Sequence, residues 1–251
     1  MTYDTFQQLN YLWMAVAVII FTVLIKVTAP YGRHTTTHWG PQISNRLGWV
    51  LMEIPGMTVV IFFVLTNLPV QNAVTYILVS FYIFHYINRT FIFPFRIHTR
   101  GKKMPLVITC MAVCFNLVTG FLLGYYFGHF AHYTGSYFTQ ANFIVGALLF
   151  SAGMYINWEY DNKLIHLRQP GDTNYVIPVG GLFNFVSCPN LLGEIVEWTG
   201  FAILCWNLPA LSFLVWTAAN LIPRALSHHK WYKLRFADYP ARRKAVFPYI
   251  L

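Results

Sequence analysis

The segment PVGGLFNFVSCPNLLGEIVEW, residues 178–198, combines the apolar composition of a membrane helix with polar groups that lipid does not tolerate. Its two carboxylates, Glu194 and Glu197, are three residues apart and would share one helix face. A carboxylate near the centre of a membrane costs about 3 kcal/mol, so we expect this face to look into a protein cavity. The Gly180–Gly181 pair and the asparagines would supply free N–H groups and amides to a large polar ligand. The alternative is an ordinary helix N-terminus, where acids complement the dipole.

The composition predicts a polytopic membrane protein organised as a single domain, residues 1–251. The chain is 57% hydrophobic and only 10% charged, whereas soluble proteins have about 25% charged residues. The four cysteines form no CxxC or Cys/His metal spacing, so we expect no metal. The net charge of +9 comes without a nucleic-acid-binding pattern. A basic face beside a membrane suits anionic lipid or a phosphorylated cofactor instead.

Apolar runs predict an all-α integral membrane protein with seven transmembrane helices. We place the runs at residues 11–27, 47–68, 73–95, 105–127, 142–160, 193–208 and 209–222. Lys and Arg are concentrated after the first, third, fifth and seventh runs, and the other loops carry almost none. Because basic loops stay in the cytoplasm, we expect the N-terminus outside and the C-terminus in the cytoplasm.

The fourth run carries small residues at a regular spacing. Gly120, Gly124 and Gly128 recur every four residues and therefore lie along one face of a helix. Small residues on one face allow two helix backbones to approach closely in a membrane. We therefore expect this helix to pack tightly against a neighbour, which is a structural role and not a chemical one.

Nearly every polar group within the predicted spans falls in the half nearer the cytoplasm. A transporter needs polar groups along a path through both halves, so this distribution favours an enzyme pocket that is open to one side. The sequence has no G-x-G-x-x-G motif and no P-loop, so a nucleotide cofactor would be held in another way. Several arginines near the cytoplasmic side are suited to its phosphate groups.

Five stretches carry a resemblance to a known family. They are GGLFNFVSCPNLLGEIVEW, FHYINRTFIFP, NWEYDNKLIHLRQPG, YVIP from Tyr175 and RALSHHKWYKLRFADYPARRKAVFPYIL. They resemble the steroid 5α-reductases, in which a G-G-L-F…N-x-x-G-E-x-x-E-W pattern recurs. The resemblance covers nearly the whole chain after about residue 20 and is nearest to the type 2-like enzymes, with a bacterial homologue as one fitting source.

The resemblance implies NADPH-dependent reduction of the Δ4 double bond of a 3-oxo-Δ4 steroid to a 5α-steroid, with the hydride delivered to C5. It implies that Tyr86 donates a hydrogen bond to the 3-keto oxygen, with Glu53 beside it. The family has Gln before this glutamate, whereas this chain has Met52.

The same resemblance implies a steroid pocket mainly in the first four spans and a cofactor site mainly in residues 157–251. The residues that would line or support the NADPH site are Arg100, Asn157, Asp161, Arg168, Tyr175, Asn190, Glu194, Arg224, His228, Tyr232 and Arg243.

Other functions stay open at this stage. Related enzymes reduce polyprenols or enoyl-CoA, and isoprenylcysteine-type methyltransferases have a comparable C-terminal layout but bind S-adenosylmethionine. A non-enzymatic sterol-binding or transport protein is the remaining alternative. We expect a monomer in contact with membrane lipid, in a bacterial inner membrane or the endoplasmic reticulum, with the active site facing the cytoplasm.

Overall fold

The computed structural model describes residues 1–66, 72–97, 101–167 and 175–251, and this part of the chain is mainly helical. Its α-helices are α1 (Tyr3–Lys26), α2 (Asn45–Thr66), α3 (Ala73–Ile87), α4 (Phe93–Arg96), α5 (Leu106–His129), α6 (Ala141–His166), α7 (Pro189–Cys205) and α8 (Leu208–Arg235). Two short antiparallel strands, β1 (Gln42–Ser44) and β2 (Lys103–Pro105), precede α2 and α5. The predicted all-α class is confirmed.

Four of the described helices, α1, α2, α5 and α6, are long and apolar enough to cross a membrane. Their outward surfaces carry large apolar side chains, such as Leu12, Phe62 and Leu148, that are exposed to more than half of their full extent. A soluble protein rarely exposes an apolar surface of this extent. The expected integral membrane class is therefore confirmed.

Two helices extend further than the apolar runs predict. α1 begins at Tyr3 rather than at residue 11, because Thr2 caps it by accepting a hydrogen bond from the Thr5 N–H at 3.3 Å. α8 continues to Arg235, well beyond the predicted end at residue 222. Hydropathy finds only the part of a helix that faces lipid, and both extensions are polar helical turns.

The glycines of α5 lie against α2, as the spacing predicts. A Cβ atom at Gly120 would come within 3.1 Å of the Val59 Cβ, and one at Gly124 within 3.0 Å of the Val60 Cα. Gly128 is also buried. The close approach of these two backbones brings the polar side chains of α2 and α5 within reach of each other.

A second glycine contact joins α6 to α7. Gly146 and Gly153 on α6 face Leu204 and Glu197 on α7, and a Cβ atom at either glycine would collide with that neighbour's backbone. On α7, Gly193 and Gly200 approach α6 in the same way. Both pairs are spaced by seven residues, which is close to two helical turns. This contact fixes the start of α7 beside the end of α6.

The segment between α3 and α4 is a π-helical turn, Asn88–Ile92. The Phe93 N–H donates to the Asn88 carbonyl, five residues earlier. Pro94 follows and has no N–H with which to continue an α-helical ladder. The wider turn lies directly after His85 and Tyr86, and single π-helical turns are frequent at functional sites.

Candidate active site

Three side chains from three helices meet inside the helical bundle, and we call Glu53, Tyr86 and Asn116 the interior array. The Tyr86 hydroxyl on α3 donates to the Asn116 Oδ1 atom on α5 at 2.7 Å. The Asn116 Nδ2 atom donates to the Met52 carbonyl at 2.5 Å and lies 3.5 Å from the Glu53 Oε2 atom on α2. Tyr86 and Asn116 are each only 3% exposed. The two predicted catalytic residues therefore face one asparagine.

The orientation of the Asn116 amide follows from its partners. The Met52 carbonyl can only accept a hydrogen bond, so the NH₂ group of Asn116 must lie on that side. The carbonyl oxygen Oδ1 is then turned to Tyr86, whose hydroxyl must be the donor. The buried side chain of Met52 offers no amide of its own. The polar group at this point comes from α5.

The ring of Tyr86 occupies space that Gly56 leaves open. A Cβ atom at Gly56 would collide with the Tyr86 ring and come within 3.0 Å of Asn116 Oδ1. On its other side the ring packs against Tyr82, with ring centroids 4.6 Å apart. Tyr82 in turn contacts Trp198 of α7. The Tyr86 hydroxyl is thus held in a water-poor aromatic environment.

The two glutamates of the signature segment occupy different environments. Glu197 is fully buried, and its Oε1 atom lies 2.7 Å from the Nδ1 atom of His85 on α3. The His85 ring also packs on Trp198, with centroids 4.6 Å apart. Glu194 is partly exposed. The expected protein-facing orientation holds for Glu197, which ties α7 to α3.

Amides and an acid meet where α6 ends and α7 begins, and we call Asn157, Asp161 and Asn190 the amide–acid cluster. The Asn190 Nδ2 atom donates to Asp161 Oδ1 at 2.8 Å, and the Asn157 Nδ2 atom donates to the Asn190 carbonyl at 3.0 Å. Arg89, from the π-helical turn, lies 3.7 Å from Asp161 Oδ2. The structure thus brings together three of the predicted cofactor residues.

Charged side chains lie between the amide–acid cluster and the interior array. Glu53 is within electrostatic range of Arg89, His85 and Glu194, and Arg89 is in turn within range of Asp161. The guanidinium of Arg89 also packs over the Trp49 ring at 4.7 Å from its centroid. The two groups of polar residues therefore share one electrostatic environment.

A third group, which we call the basic cluster, consists of Arg33, His34, Arg224, His228 and Tyr232. Arg224 is 8% exposed and donates to the Ala29 and Tyr31 carbonyls at 2.9 and 2.8 Å. The guanidinium of Arg33 lies 4.7 Å from the centroid of the Tyr232 ring. The loop after α1 is in this way fixed to α8.

Burial lowers the pKa of His34 from 6.5 to about 4, and the neighbouring cations Arg224 and Arg33 lower it further in the same direction. The His34 Nε2 atom lies 3.1 Å from His228 Nδ1, and the two rings are stacked. A neutral His34 leaves the positive charge of this cluster on its two arginines at neutral pH.

The basic cluster lies beside the start of α7. Burial raises the pKa of the Cys188 thiol to about 12, and the positive charges of Arg33 and Arg224 act on it in the opposite direction. Cys188 directly precedes α7, and Asn190 is in the first turn of that helix. The basic cluster and the amide–acid cluster are therefore both near the N-terminal end of α7.

The remaining predicted residues are placed separately. Tyr175 packs edge-on against Trp231, with ring centroids 4.8 Å apart, and lies 5.3 Å from the Arg33 guanidinium. Arg243 is 3% exposed and donates to the Pro178 carbonyl at 3.1 Å. Arg100 and Arg168 lie outside the described residues.

Gly180 departs from the expected role of the Gly180–Gly181 pair as a source of free N–H groups. The Gly180 N–H donates to Asn184 Oδ1 at 3.1 Å, so this backbone donor is already used. Both glycines have positive φ angles, 87° and 56°, which other residues adopt at a cost. The pair is needed for the turn that leads the chain to α7.

Sequence reasoning missed Asn116, Tyr31 and Arg33 as site residues. Asn116 is hidden in an apolar run, although it precedes Gly120 by four residues and therefore shares its α2-facing side. Tyr31 and Arg33 belong to a loop without hydrophobic periodicity. Their role depends on the fold-back of that loop onto α8.

Comparisons with known proteins show the family of the chain. A profile described as 3-oxo-5-alpha-steroid 4-dehydrogenase matches residues 102–251. The chain belongs to this family of oxidoreductases. It is 40% identical to steroid 5-alpha-reductase DET2 of Solanum lycopersicum over 248 residues, which cover 96% of each chain.

Similar relatives come from other plants and from mammals. The Arabidopsis thaliana steroid 5-alpha-reductase DET2 is 38% identical over 237 residues, covering 91% of this chain and 90% of the relative. The Homo sapiens 3-oxo-5-alpha-steroid 4-dehydrogenase 1 is 36% identical over 244 residues, covering 96% and 94%. The expected family membership is confirmed, whereas the type 2-like assignment stays a prediction.

Proposed function

We propose that this protein reduces the Δ4 double bond of 3-oxo-Δ4 steroids to 5α-steroids with NADPH. The observation that carries the proposal is the buried Tyr86 hydroxyl, which donates to Asn116 at 2.7 Å, with Glu53 nearby and within electrostatic range of Arg89 beside the amide–acid cluster. Family membership supports the reaction class, since the relatives are named as steroid 5-alpha-reductases and 3-oxo-5-alpha-steroid 4-dehydrogenases. The identity of the cofactor and the roles of the residues go beyond what family membership supports.

The residues present fit a phosphorylated dinucleotide. The buried polar atoms without a partner among the described residues include one in the basic cluster, Arg33 Nη1, one in the amide–acid cluster, Asn157 Oδ1, and Arg243 Nε. Buried polar groups are normally satisfied, so unpaired ones point to a missing ligand or water. Arg33 and Arg224 would neutralise phosphate charges, and Asn157, Asp161 and Asn190 would bind ribose hydroxyls and amide groups. When bound, NADPH supplies the hydride.

The interior array would act on the steroid ketone. Reduction of a conjugated enone places negative charge on the carbonyl oxygen, and a positioned donor stabilises that charge by about 3 kcal/mol. Tyr86 is the donor, and Glu53 lies on the far side of the Asn116 amide that Tyr86 contacts. The aromatic side chains Tyr82 and Trp198 exclude water from this region. Hydrogen bonds are strongest in such surroundings.

We also propose the full topology of seven spans, with the N-terminus outside and the active site toward the cytoplasm. Besides the four clearly apolar helices, α3 continues through the π-helical turn and α4 as one helical segment over residues 73–96. α7 and the first part of α8 supply the last two spans. We expect a monomer within a bacterial inner membrane or the endoplasmic reticulum.

The experiment uses the purified protein in lipid nanodiscs with NADPH and, separately, progesterone, 2-enoyl-CoA or a polyprenol. We expect progesterone-dependent oxidation of NADPH and a product carrying a 5α hydrogen, identified by chromatography and mass spectrometry. Failure with progesterone, testosterone and androstenedione alike would contradict the steroid assignment. Turnover of enoyl-CoA or polyprenol alone would move the protein to that substrate class.

A further inference from the structure

Asn116 is a buried polar side chain without an assigned role, and it touches both predicted catalytic residues. It lies on α5, is 3% exposed, and its Oδ1 atom accepts a hydrogen bond from the Tyr86 hydroxyl at 2.7 Å. Glu53 lies 3.5 Å from the opposite, NH₂ side of the same amide. Among the described residues, no direct hydrogen bond joins Glu53 to Tyr86.

We propose that Asn116 is the positioning residue through which Glu53 and the α2 backbone hold the Tyr86 hydroxyl for the steroid ketone. This inference rests on the function proposed above. Its geometry is that of a relay: the Met52 carbonyl and Glu53 receive the two N–H groups, which leaves the amide oxygen for Tyr86. The relay joins α2, α5 and α3 in that order.

Before a ketone binds, the Asn116 carbonyl oxygen accepts the one hydrogen of the Tyr86 hydroxyl and so holds the hydroxyl oxygen in place. When that hydrogen turns about the C–O bond to a ketone oxygen, the bond to the ketone replaces the bond to Asn116. The Tyr86 ring need not move, because Gly56 and Tyr82 hold its two faces. A catalytic donor must be held near its working position to be effective.

The closing experiment is a double-mutant cycle with Asn116→Leu, Tyr86→Phe and the double variant. The Leu side chain has nearly the shape of Asn but neither donates nor accepts hydrogen bonds. We expect Asn116→Leu to lower kcat about tenfold with the KM for NADPH unchanged, because the hydroxyl loses its fixed position. In the Tyr86→Phe background, the same change should cause no further loss of kcat, since the two residues act as a unit.

The matched control is Thr119→Val, on the same helix and equally buried. Thr119 is 2% exposed, and its hydroxyl has no partner among the described residues. This variant should keep the wild-type kcat within about twofold, as ordinary substitutions away from interacting groups do. If Asn116→Leu behaves like Thr119→Val, or its effect is equally large in the Tyr86→Phe background, Asn116 is not a positioning residue.

Thermal unfolding of the same four proteins separates this inference from the proposed function. Two directly bonded side chains give a non-additive change in Tm, whatever substrate the enzyme uses. If the wild-type protein is inactive with steroids, the proposed function is wrong. Non-additive changes in Tm would still support the relay through Asn116. Additive Tm changes would overturn the relay even in an active enzyme.

Discussion

The interior array and the basic cluster are held together by different kinds of contact. In the interior array, one neutral side chain, Asn116, links a tyrosine, a glutamate and a backbone carbonyl in the middle of the bundle. In the basic cluster, Arg224 binds two carbonyls of the loop after α1, and Arg33 lies over the ring of Tyr232. The first arrangement is neutral at its centre, whereas the second carries net positive charge.

This difference indicates that the interior array and the basic cluster have different roles. A neutral, buried set of hydrogen bonds can fix one oxygen atom without attracting ions or water. An array of arginines held by carbonyls and aromatic rings keeps its charge available to an anionic ligand. The segment from Cys188 into α7 connects the two, because it starts beside the arginines and its Trp198 contacts Tyr82, which packs on Tyr86.

The largest expected effect concerns the contact between α6 and α7, because α7 connects the two regions. Gly153→Ala places a Cβ against the backbone of Glu197, and such overpacking costs about 3 kcal/mol. We expect a marked loss of thermal stability, measured by the unfolding of detergent-solubilised protein. The control is Gly135→Ala, where a Cβ would meet nothing within 4 Å. Equal Tm values for the two variants would contradict the described contact between α6 and α7.

The next effect tests whether the basic cluster needs only the positive charge of Arg224 or also the geometry of its guanidinium group. Arg224→Lys keeps the charge but cannot bind the Ala29 and Tyr31 carbonyls together. Losing one hydrogen bond from a charged group to a carbonyl costs the free energy of about a tenfold change in an equilibrium constant. We expect NADPH binding, measured by fluorescence titration, to weaken about tenfold. The exposed Arg235 supplies the control Arg235→Lys, and equal affinities would show that charge alone matters.

The smallest expected effect is on the loss of thermal stability at acid pH. The pKa of His34 falls from 6.5 to about 4 on burial, so its contribution to stability is present above about pH 6.5 and is lost as the pH falls through about 4. His34→Gln has no such proton to bind, so its Tm should fall less between pH 7 and 4. Besides Arg33 and Arg224, His228 faces this ring. The exposed His38 gives the control His38→Gln, and identical acid sensitivity in all three proteins would contradict this reading.

Much of this architecture could be predicted from the sequence, because membrane helices and close glycine contacts leave regular patterns. The apolar runs located the helices, and the spacing of Gly120 and Gly124 predicted a close contact with a neighbouring helix, which the structure identifies as α2. The polar turns at the two helix ends were missed, since hydropathy does not report on helix caps such as Thr2.

The site was predictable where its residues lie in a motif and obscure where they do not. Asn157, Asp161 and Asn190 come from segments that resemble the family, and they do meet. Asn116 stands alone in an apolar helix, and only its three-dimensional neighbours reveal its partners. The loop residue Arg33 depends on a fold-back from α1 to α8, which no local pattern encodes.

The most direct test of the central claim is steroid-dependent NADPH oxidation by wild-type protein and Tyr86→Phe, with NADPH affinity measured on both. Loss of one preorganised donor should lower kcat about a hundredfold, while NADPH affinity stays unchanged because Tyr86 belongs to the interior array and not to the basic cluster. A 5α product from the wild type and this loss in the variant are the predicted result. Full activity of Tyr86→Phe would contradict the account and place the ketone's donor elsewhere.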